Sequence, residues 1–385
     1  MTSAIREPRR VPLSWRNLLQ HKLRTALAIG GVSFPVLLVF LQLGLYDAAL
    51  RSASLPFDAL GFDAVIVSAE YVAVPKPSGF PRSRLYQALA VPGVAGIAAL
   101  QLNYGRWKNA ETFFPRQIMV LGCDPRQQAF RLPEIAGQVA GLAEPDTALI
   151  DRHTRAEYGP REPGVVSEME TRRVRIIGQY TLGAGFSSGG AVVVSDQTFF
   201  RLFARQPPDE VTFGLVRLDA GRDADAVVES LGARLPRDVR VLARAALEAS
   251  ERAYWSRTAS LGIIFGLGVM VGLVVQMVLV YQLLSTDIAN RLPEYATLKA
   301  IGYSDGQLSR VVLQQAALVS TPGYALGALA SLGLYALTAA ATHLPVVMTG
   351  ARLAGVLGLT WALAAGSALL ALRRLRAADP AALFK

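Results

Sequence analysis

Four long stretches of this chain contain no Asp, Glu, Lys or Arg: Thr25–Tyr46, Thr258–Thr286, Val311–Ala351 and Leu353–Leu372. Each can supply the roughly 20 apolar residues that a helix needs to cross a bilayer. A soluble domain of ordinary size can bury one such helix. It has no interior for four, three of them crowded into the last third of the chain. The reading is an α-helical membrane protein with four transmembrane helices. Composition agrees, with 52% hydrophobic and only 18% charged residues among 385.

The formal net charge is +10. A basic balance can mark a nucleic-acid partner, but the placement of the charge points elsewhere. Arg6, Arg9, Arg10, Arg16, Lys22 and Arg24 precede the first span, and Arg373, Arg374 and Arg376 follow the last. Positive charge retained on the cytoplasmic side has this pattern. Both ends are therefore expected in the cytoplasm, as an even number of spans requires. The loop between spans two and three is expected beside them, and it carries Arg291, Lys299 and Arg310. The opposite loop, around Thr342 to Gly350, has no Lys or Arg. The expected partners are membrane lipids, with no nucleic acid. The first apolar stretch is longer than a signal-peptide core and lacks a clear small-x-small cleavage site before Tyr46, so it is read as a retained span.

The expected layout follows from these stretches. Residues 1–25 form a cytoplasmic tail with an amphipathic interfacial helix over Leu13 to Leu27, beginning near Ser14. Trp15, Arg16, Lys22 and Arg24 are its expected membrane-interface anchors. Span one covers 26–46 and contains Gly30, Gly31 and Pro35, residues suited to close helix contact and a kink. A large α+β domain occupies 47–257, with Trp255 as an interfacial anchor before the next span. Span two covers 258–284, a loop 285–309, span three 310–339, a short outer loop 340–351 and span four 352–372. A tail, 373–385, completes the chain.

Within the large domain, β-like runs occur at 63–68, 116–122, 171–180, 190–196 and 211–218. Residues 91–100 join a helix end to a further strand. Short helices are expected at Arg82 to Leu89, Gln197 to Phe203 and Ala224 to Leu235. Pro125 to Asp151 and Glu157 to Glu168 read as connecting or inserted material, with room for a subdomain boundary near Leu121–Ile150. Leu242 to Arg257 is expected to form a stalk helix ahead of span two.

Catalytic chemistry finds no foothold. No Gly-rich phosphate loop ending in Lys-Ser/Thr occurs, nor HExxH, nor GxSxG. GAGFSSGG at 183–190 lacks the lysine and reads as a turn. Ser195 and Asp196 lack a base, and Ser195 reads as a strand-end turn residue. His21, His153 and His343 are distant in sequence, so a shared metal site is not expected. Cys123 is the only cysteine, which excludes an intrachain disulfide. No catalytic, cofactor-binding or metal residue is expected. The spans carry Gln42, Gln276 and Gln282, read as makers of helix–helix hydrogen bonds. With no acid or base on a pathway, a subunit that transmits motion is favoured over a hydrophilic pore.

One amphipathic segment remains, the loop TDIANRLPEYATLKAIGYSDGQLSRVVLQQ from Thr286 to Gln315. Its NRLPEYATLKAIGYSDGQL portion, together with WRNLLQHKLRTALAIGGVSF at Trp15 to Phe34, resembles the FtsX/MacB-like permeases of ABC transporters, the mechanotransmitting type. The order of one span, a large outer domain and three further spans resembles them as well. Many members read Glu-Ile-Gly where Glu294, Tyr295 and Ala296 stand here. That Tyr-Ala-Thr form resembles the DevC subfamily most.

The resemblance implies a bacterial inner-membrane protein with a periplasmic outer domain, acting with a second copy of itself and a dimer of a separate cytoplasmic ABC ATPase. ATP and Mg would be bound by that ATPase, with no cofactor on this chain. The loop would dock on the ATPase through Arg291, Glu294, Tyr295, Leu298, Lys299, Ile301, Gly302 and Tyr303. Gly302 is expected to end its helix and Asp305 to cap the next. An exporter would also need a periplasmic adaptor, or membrane fusion protein, and an outer-membrane channel. Relatives handle glycolipids, peptides, macrolides and other amphiphiles. A lipoprotein-extracting permease and a cell-division-type signalling permease share the plan, although the outer domains of the latter are usually much smaller.

Overall fold

The computed structural model describes residues 22–182, 188–258, 260–290, 293–294, 297, 301 and 304–377. The elements in chain order begin with α1 (Lys22–Ser52), α2 (Leu55–Asp58), β1 (Ala64–Ser68), β2 (Phe80–Pro81), α3 (Ser83–Leu89), β3 (Val94–Lys108) and β4 (Pro115–Cys123). Next come α4 (Pro133–Ala136), β5 (Thr147–Asp151), β6 (Val166–Met169), β7 (Arg172–Tyr180), β8 (Ala191–Ser195) and α5 (Asp196–Leu202). The outer portion closes with β9 (Glu210–Val211), β10 (Phe213–Leu218), α6 (Ala224–Arg234), β11 (Val239–Ala243) and α7 (Arg244–Ala253). Three long helices follow: α8 (Leu261–Asn290), α9 (Asp305–Thr342) and α10 (Gly350–Ala377).

The chain separates into two compact units. A helical unit contains the chain up to Tyr46, Ile263–Leu337 and the chain from Val346 onward. An outer unit contains Asp47–Gly262 and Thr338–Pro345. The fold class is four apolar helices with a large α+β unit inserted between the first and second.

All four long helices have the length and composition to cross a membrane. Ile263, Leu267, Val271, Val274 and Val278 stand exposed along α8, an outward surface that suits hydrocarbon. The bundle interior is close-packed on glycine. On α8, Gly268 and Gly272 face α1: a Cβ at Gly272 would come 2.9 Å from Val39, and one at Gly268 2.5 Å from Gln42. On α9, Gly323 and Gly327 face α1 again, where a Cβ would come 2.7 Å from Val32 and 2.7 Å from the Ser33 carbonyl. The first span is thus gripped between two small-xxx-small faces, which let backbones approach where lipid supplies no hydrophobic driving force.

Among the described residues, the polar ties between helices come from residues other than the expected glutamines. Tyr335 Oη donates to the Phe40 carbonyl, joining α9 to α1. Tyr324 Oη donates to Leu353 O at 2.9 Å and Trp361 Nε1 to Thr321 Oγ1 at 3.2 Å, joining α9 to α10. Ser367 Oγ reaches Met277 O at 3.0 Å, joining α10 to α8. Gln276 is buried with its amide nitrogen unpaired. The hydroxyls and the indole succeed because each reaches one acceptor in a fixed direction, whereas an amide needs several partners at once.

The outer unit is built on one nine-stranded sheet, ordered β11-β1-β10-β3-β4-β8-β5-β7-β6, with β2 and β9 forming a separate pair. The last strand turns back, pairing Trp107 with Met169 and Lys108 with Glu168. Strands β3, β4, β8, β5, β7 and β6 therefore close on themselves. The enclosed core includes Trp107, Ile118, Ile150, Val174, Val192 and Phe199. On the open side, α3 and α6 cover β1, β10 and β11 through Leu85, Ala88, Val227 and Leu231.

The fifteen-residue β3 belongs to both lobes. Its first half pairs with β10 and its second half with β4. The expected strands at 63–68, 116–122, 171–180, 190–196 and 211–218 form. Two expectations require correction. Segment 125–151, read as connecting material, ends in the fully buried β5, which lies between β8 and β7 in the middle of the sheet. Segment 157–168 includes most of β6. Each strand presents too short a run for alternation to register, and its place in the sheet comes from its neighbours.

Candidate functional site

The loop between α8 and α9 is the segment that the sequence singles out. Helix α8 continues past Leu284 to Asn290, so the loop proper is shorter than expected. Among the described loop residues, Pro293, Glu294 and Thr297 are helical and exposed. Thr297 Oγ1 donates to Pro293 O at 2.9 Å, and the Ile301 N–H donates to Thr297 O at 3.1 Å, bonds of a short helical turn. Ile301 is 72% exposed, an unusual surface position for an isoleucine. Arg291, Tyr295, Leu298, Lys299, Gly302 and Tyr303 lie outside the described residues, and so does the expected C-cap at Gly302.

The start of α9 differs from expectation. Asp305 is its first helical residue, and Ser304 caps it. Ser304 Oγ accepts from the Gln307 N–H at 3.3 Å, while Gln307 Oε1 accepts from the Ser304 N–H at 2.9 Å. This reciprocal pair is a capping box, Ser-x-x-Gln. Both partners are visible in the sequence, and Asp305 stands one position past the cap. The first turn of α9 buries Leu308, whose apolar cluster includes Val312 and Ala316 of α9 and Ala28 and Val32 of α1. A groove of about 290 Å³ opens near the loop end of α8, lined by Leu27, Ala28 and Gly31 of α1 and by Leu279, Leu283 and Thr286 of α8.

Of the expected interface anchors, Trp15 and Arg16 lie outside the described residues. Lys22 and Arg24 fall within the first turns of α1. Trp255 is half-buried in a π-helical turn, Tyr254–Thr258, with its ring 6.0 Å from that of Tyr254.

In the outer unit, α7 is fixed at both ends. Arg244 donates to the carbonyls of Phe57 at 2.6 Å and Leu60 at 3.3 Å. Glu251, with no exposed surface, accepts from the Tyr71 hydroxyl and from the Val74 N–H, at 3.1 and 3.2 Å from its two oxygens. Burial pushes its carboxyl up to about 7, against the opposing pull of these donors. The sequence marked this helix only as a stalk. A lone Glu one turn beyond Leu247, on the face that enters the core, was the available signal.

Two of the histidines, distant in sequence, meet in the structure. His153 and His343 are 190 residues apart in sequence, yet their rings stack with centroids 4.3 Å apart and planes 7° from parallel. His343 ends α9 in a left-handed conformation, φ 55°, its N–H bonded to Ala339 O. Parallel rings hold their in-plane lone pairs side by side and do not aim them at one ion. Among the described residues, no group of three or more His, Cys, Asp or Glu could hold a metal. Ser195, read as a turn residue, is the N-cap of α5, accepting from the Thr198 N–H at 3.2 Å. The glycine-rich segment 183–190 lies mostly outside the described residues.

The MacB-like periplasmic core domain model matches residues 25–234, and the FtsX-like permease C-terminal model matches residues 257–380. The chain belongs to the FtsX/MacB-like permease family. Members are the membrane subunits of ABC transporters, and the family implies partnership with a cytoplasmic ABC ATPase. Among solved structures, the chain is similar to the periplasmic region of MacB from Actinobacillus actinomycetemcomitans, at 10% identity and TM-score 0.37. That match covers 50% of this chain and 93% of the other. It is also similar to the extracellular domain of the noncanonic ABC-type transporter YknZ from Gram-positive bacteria, at 13% identity and TM-score 0.32, covering 47% of this chain and 98% of the other. No curated protein sequence matches the chain.

Proposed function

We propose that this permease is the membrane subunit of an exporter. A separate ATPase, carrying ATP and Mg, docks on the loop between α8 and α9. Its cycle moves the outer unit and drives an amphiphilic substrate through a periplasmic adaptor and an outer-membrane channel. Two copies work together, in the inner membrane, with both termini cytoplasmic. The Tyr295-Ala296-Thr297 sequence favours the DevC-like branch.

The observation that carries this reading is the size and construction of the outer unit. An insertion of about 210 residues, organised as one sheet with two lobes, offers far more surface than a signalling contact requires. The docking role of the loop rests on its residue types. Glu294 and Lys299 can pair with charges on the ATPase, and Leu298, Ile301 and Tyr303 supply an apolar contact of the kind that dominates interfaces.

The test is copurification and ATPase stimulation with Leu298→Asp/Tyr303→Asp. Placing two carboxylates in a docking surface should reduce ATPase binding by roughly a thousandfold, since each hot-spot loss costs about 2 kcal/mol. Abundance in the membrane should stay unchanged. Copurification and transport at wild-type levels would remove the docking role. An adaptor recovered with the wild-type chain supports export, whereas recovery of a lipoprotein carrier supports extraction instead.

A further inference from the structure

The helix leading into the second span is held to the outer sheet by a buried carboxylate. Helix α7 turns Leu247 and Glu251 inward on one face. Leu247 joins the core shared with Phe213, Tyr71 and Val74. At Glu251 a second leucine would continue that stripe without the loss of hydration that a buried carboxyl incurs. A carboxylate stands there instead, with no exposed surface and three bonds to the segment that follows β1. Hydrogen bonds fix direction and register, which apolar contacts do not.

The connections on either side give the bonds a mechanical meaning. Tyr71 packs edge-on against Phe213 of β10, with centroids 5.4 Å apart. Its carbonyl accepts from Arg240 of β11. A pull on Tyr71 and Val74 therefore reaches β1, β10 and β11 together. Just beyond Glu251, the chain enters the π-helical turn Tyr254–Thr258 and passes through Ser260 at φ 57°, before α8 begins at Leu261. A π-turn and a left-handed serine interrupt the regular helix in this path, between Glu251 and α8. Glu251 is the last fixed point before them.

We propose that Glu251 is the positioning residue through which displacement of the helix entering the second span is passed to the outer sheet, by way of Tyr71 and Val74. The inference rests on the exporter reading above.

The test uses the full chain with its ATPase in nanodiscs. One spin label sits at exposed Glu229 on α6 and another at exposed Ile263 on α8. The distance between them is compared without nucleotide and with ATP trapped by vanadate. Glu251→Leu should reduce the ATP-driven change by roughly tenfold, within the range of ordinary coupling energies. Its thermal midpoint and that of Tyr71→Phe are measured alongside, because Glu251→Leu removes a buried carboxyl but leaves the Tyr71 hydroxyl and the Val74 N–H without their acceptor. Glu251→Gln, which keeps an acceptor for Tyr71, should recover part of the change, and Tyr71→Phe should lose part of it.

A wild-type distance change in Glu251→Leu overturns the inference. A loss of movement that merely tracks a loss of thermal stability in Glu251→Leu and Tyr71→Phe also overturns it, by making the residue structural. A wild-type complex with no ATP-driven change overturns the exporter reading itself, and a distance change in wild type alone separates the two failures.

Discussion

Glu251 is a carboxylic acid at the end of a helix, walled in by Tyr71, Val74 and Leu247, and its protonation is therefore a property of the fold. Its ordinary value near 4.5 rises to about 7, chiefly through burial, with the Tyr71 and Val74 donors pulling the other way. Between those two values the folded unit holds a proton that the unfolded chain releases. Stability is then greatest below about pH 4.5, falls as pH rises toward about 7, and levels off above it. The amplitude attached to this one group is ~3 kcal/mol, at ~1.4 kcal/mol per pH unit. Denaturant titrations of the full chain, followed through buried Trp107, should show this decline. Glu251→Gln should flatten it between pH 4.5 and 7. An equal slope in both proteins would assign the decline to other groups.

At the scale of elements, the close approach of α1 to its neighbours makes the sharpest demand. Gly327 faces Val36 and the Ser33 carbonyl, with backbone on the opposing side that has no rotamer to yield. Gly327→Leu should cost ~1–3 kcal/mol or more through overpacking. It should lower the thermal midpoint in detergent, whereas Gly333→Leu, with open space around its position, should leave it nearly unchanged. Equal midpoints for the two variants would show that the bundle is not packed on this face.

The same contrast explains what the sequence could and could not disclose about elements. The spans were legible because a bilayer excludes charge from some thirty ångströms of helix, a demand strong enough to mark every residue. β1 and β8 were legible because AVIVS and AVVVS suit only a strand buried on both faces. β5, TALID, has the same burial, but its short apolar run becomes a strand only when β7 and β8 flank it. The stacked His153 and His343 and the bonds of Glu251 depend on contacts across 177 to 190 residues. No local pattern encodes these. In the loop, Ser304 and Gln307 are readable as a capping box, while the exposure of Ile301 follows from the fold and from no local pattern.

For the whole molecule, the distribution of positive charge argues for cytoplasmic termini and a cytoplasmic loop between α8 and α9. Cys123 is buried and its thiol is pushed up to about 12 by burial, so the native cysteine should stay silent toward maleimides. In intact spheroplasts, Glu229→Cys should react with a membrane-impermeant maleimide and Ser304→Cys should not until the membrane is opened. The reverse pattern would invert the topology.

Strand β3 carries a different kind of consequence. Because one continuous strand forms an edge of both lobes, pairing with β10 through Leu100 and with β4 from Leu100 onward, no linker separates them. Recombination between relatives can exchange residues 47–257 together, but it has no seam along which to exchange half of them. A crossover inside β3 must preserve two registers at once. Lineages that diversify one lobe should therefore carry the other along, and chimeras cut near residue 100 should fail to assemble where chimeras cut at residues 47 and 257 succeed.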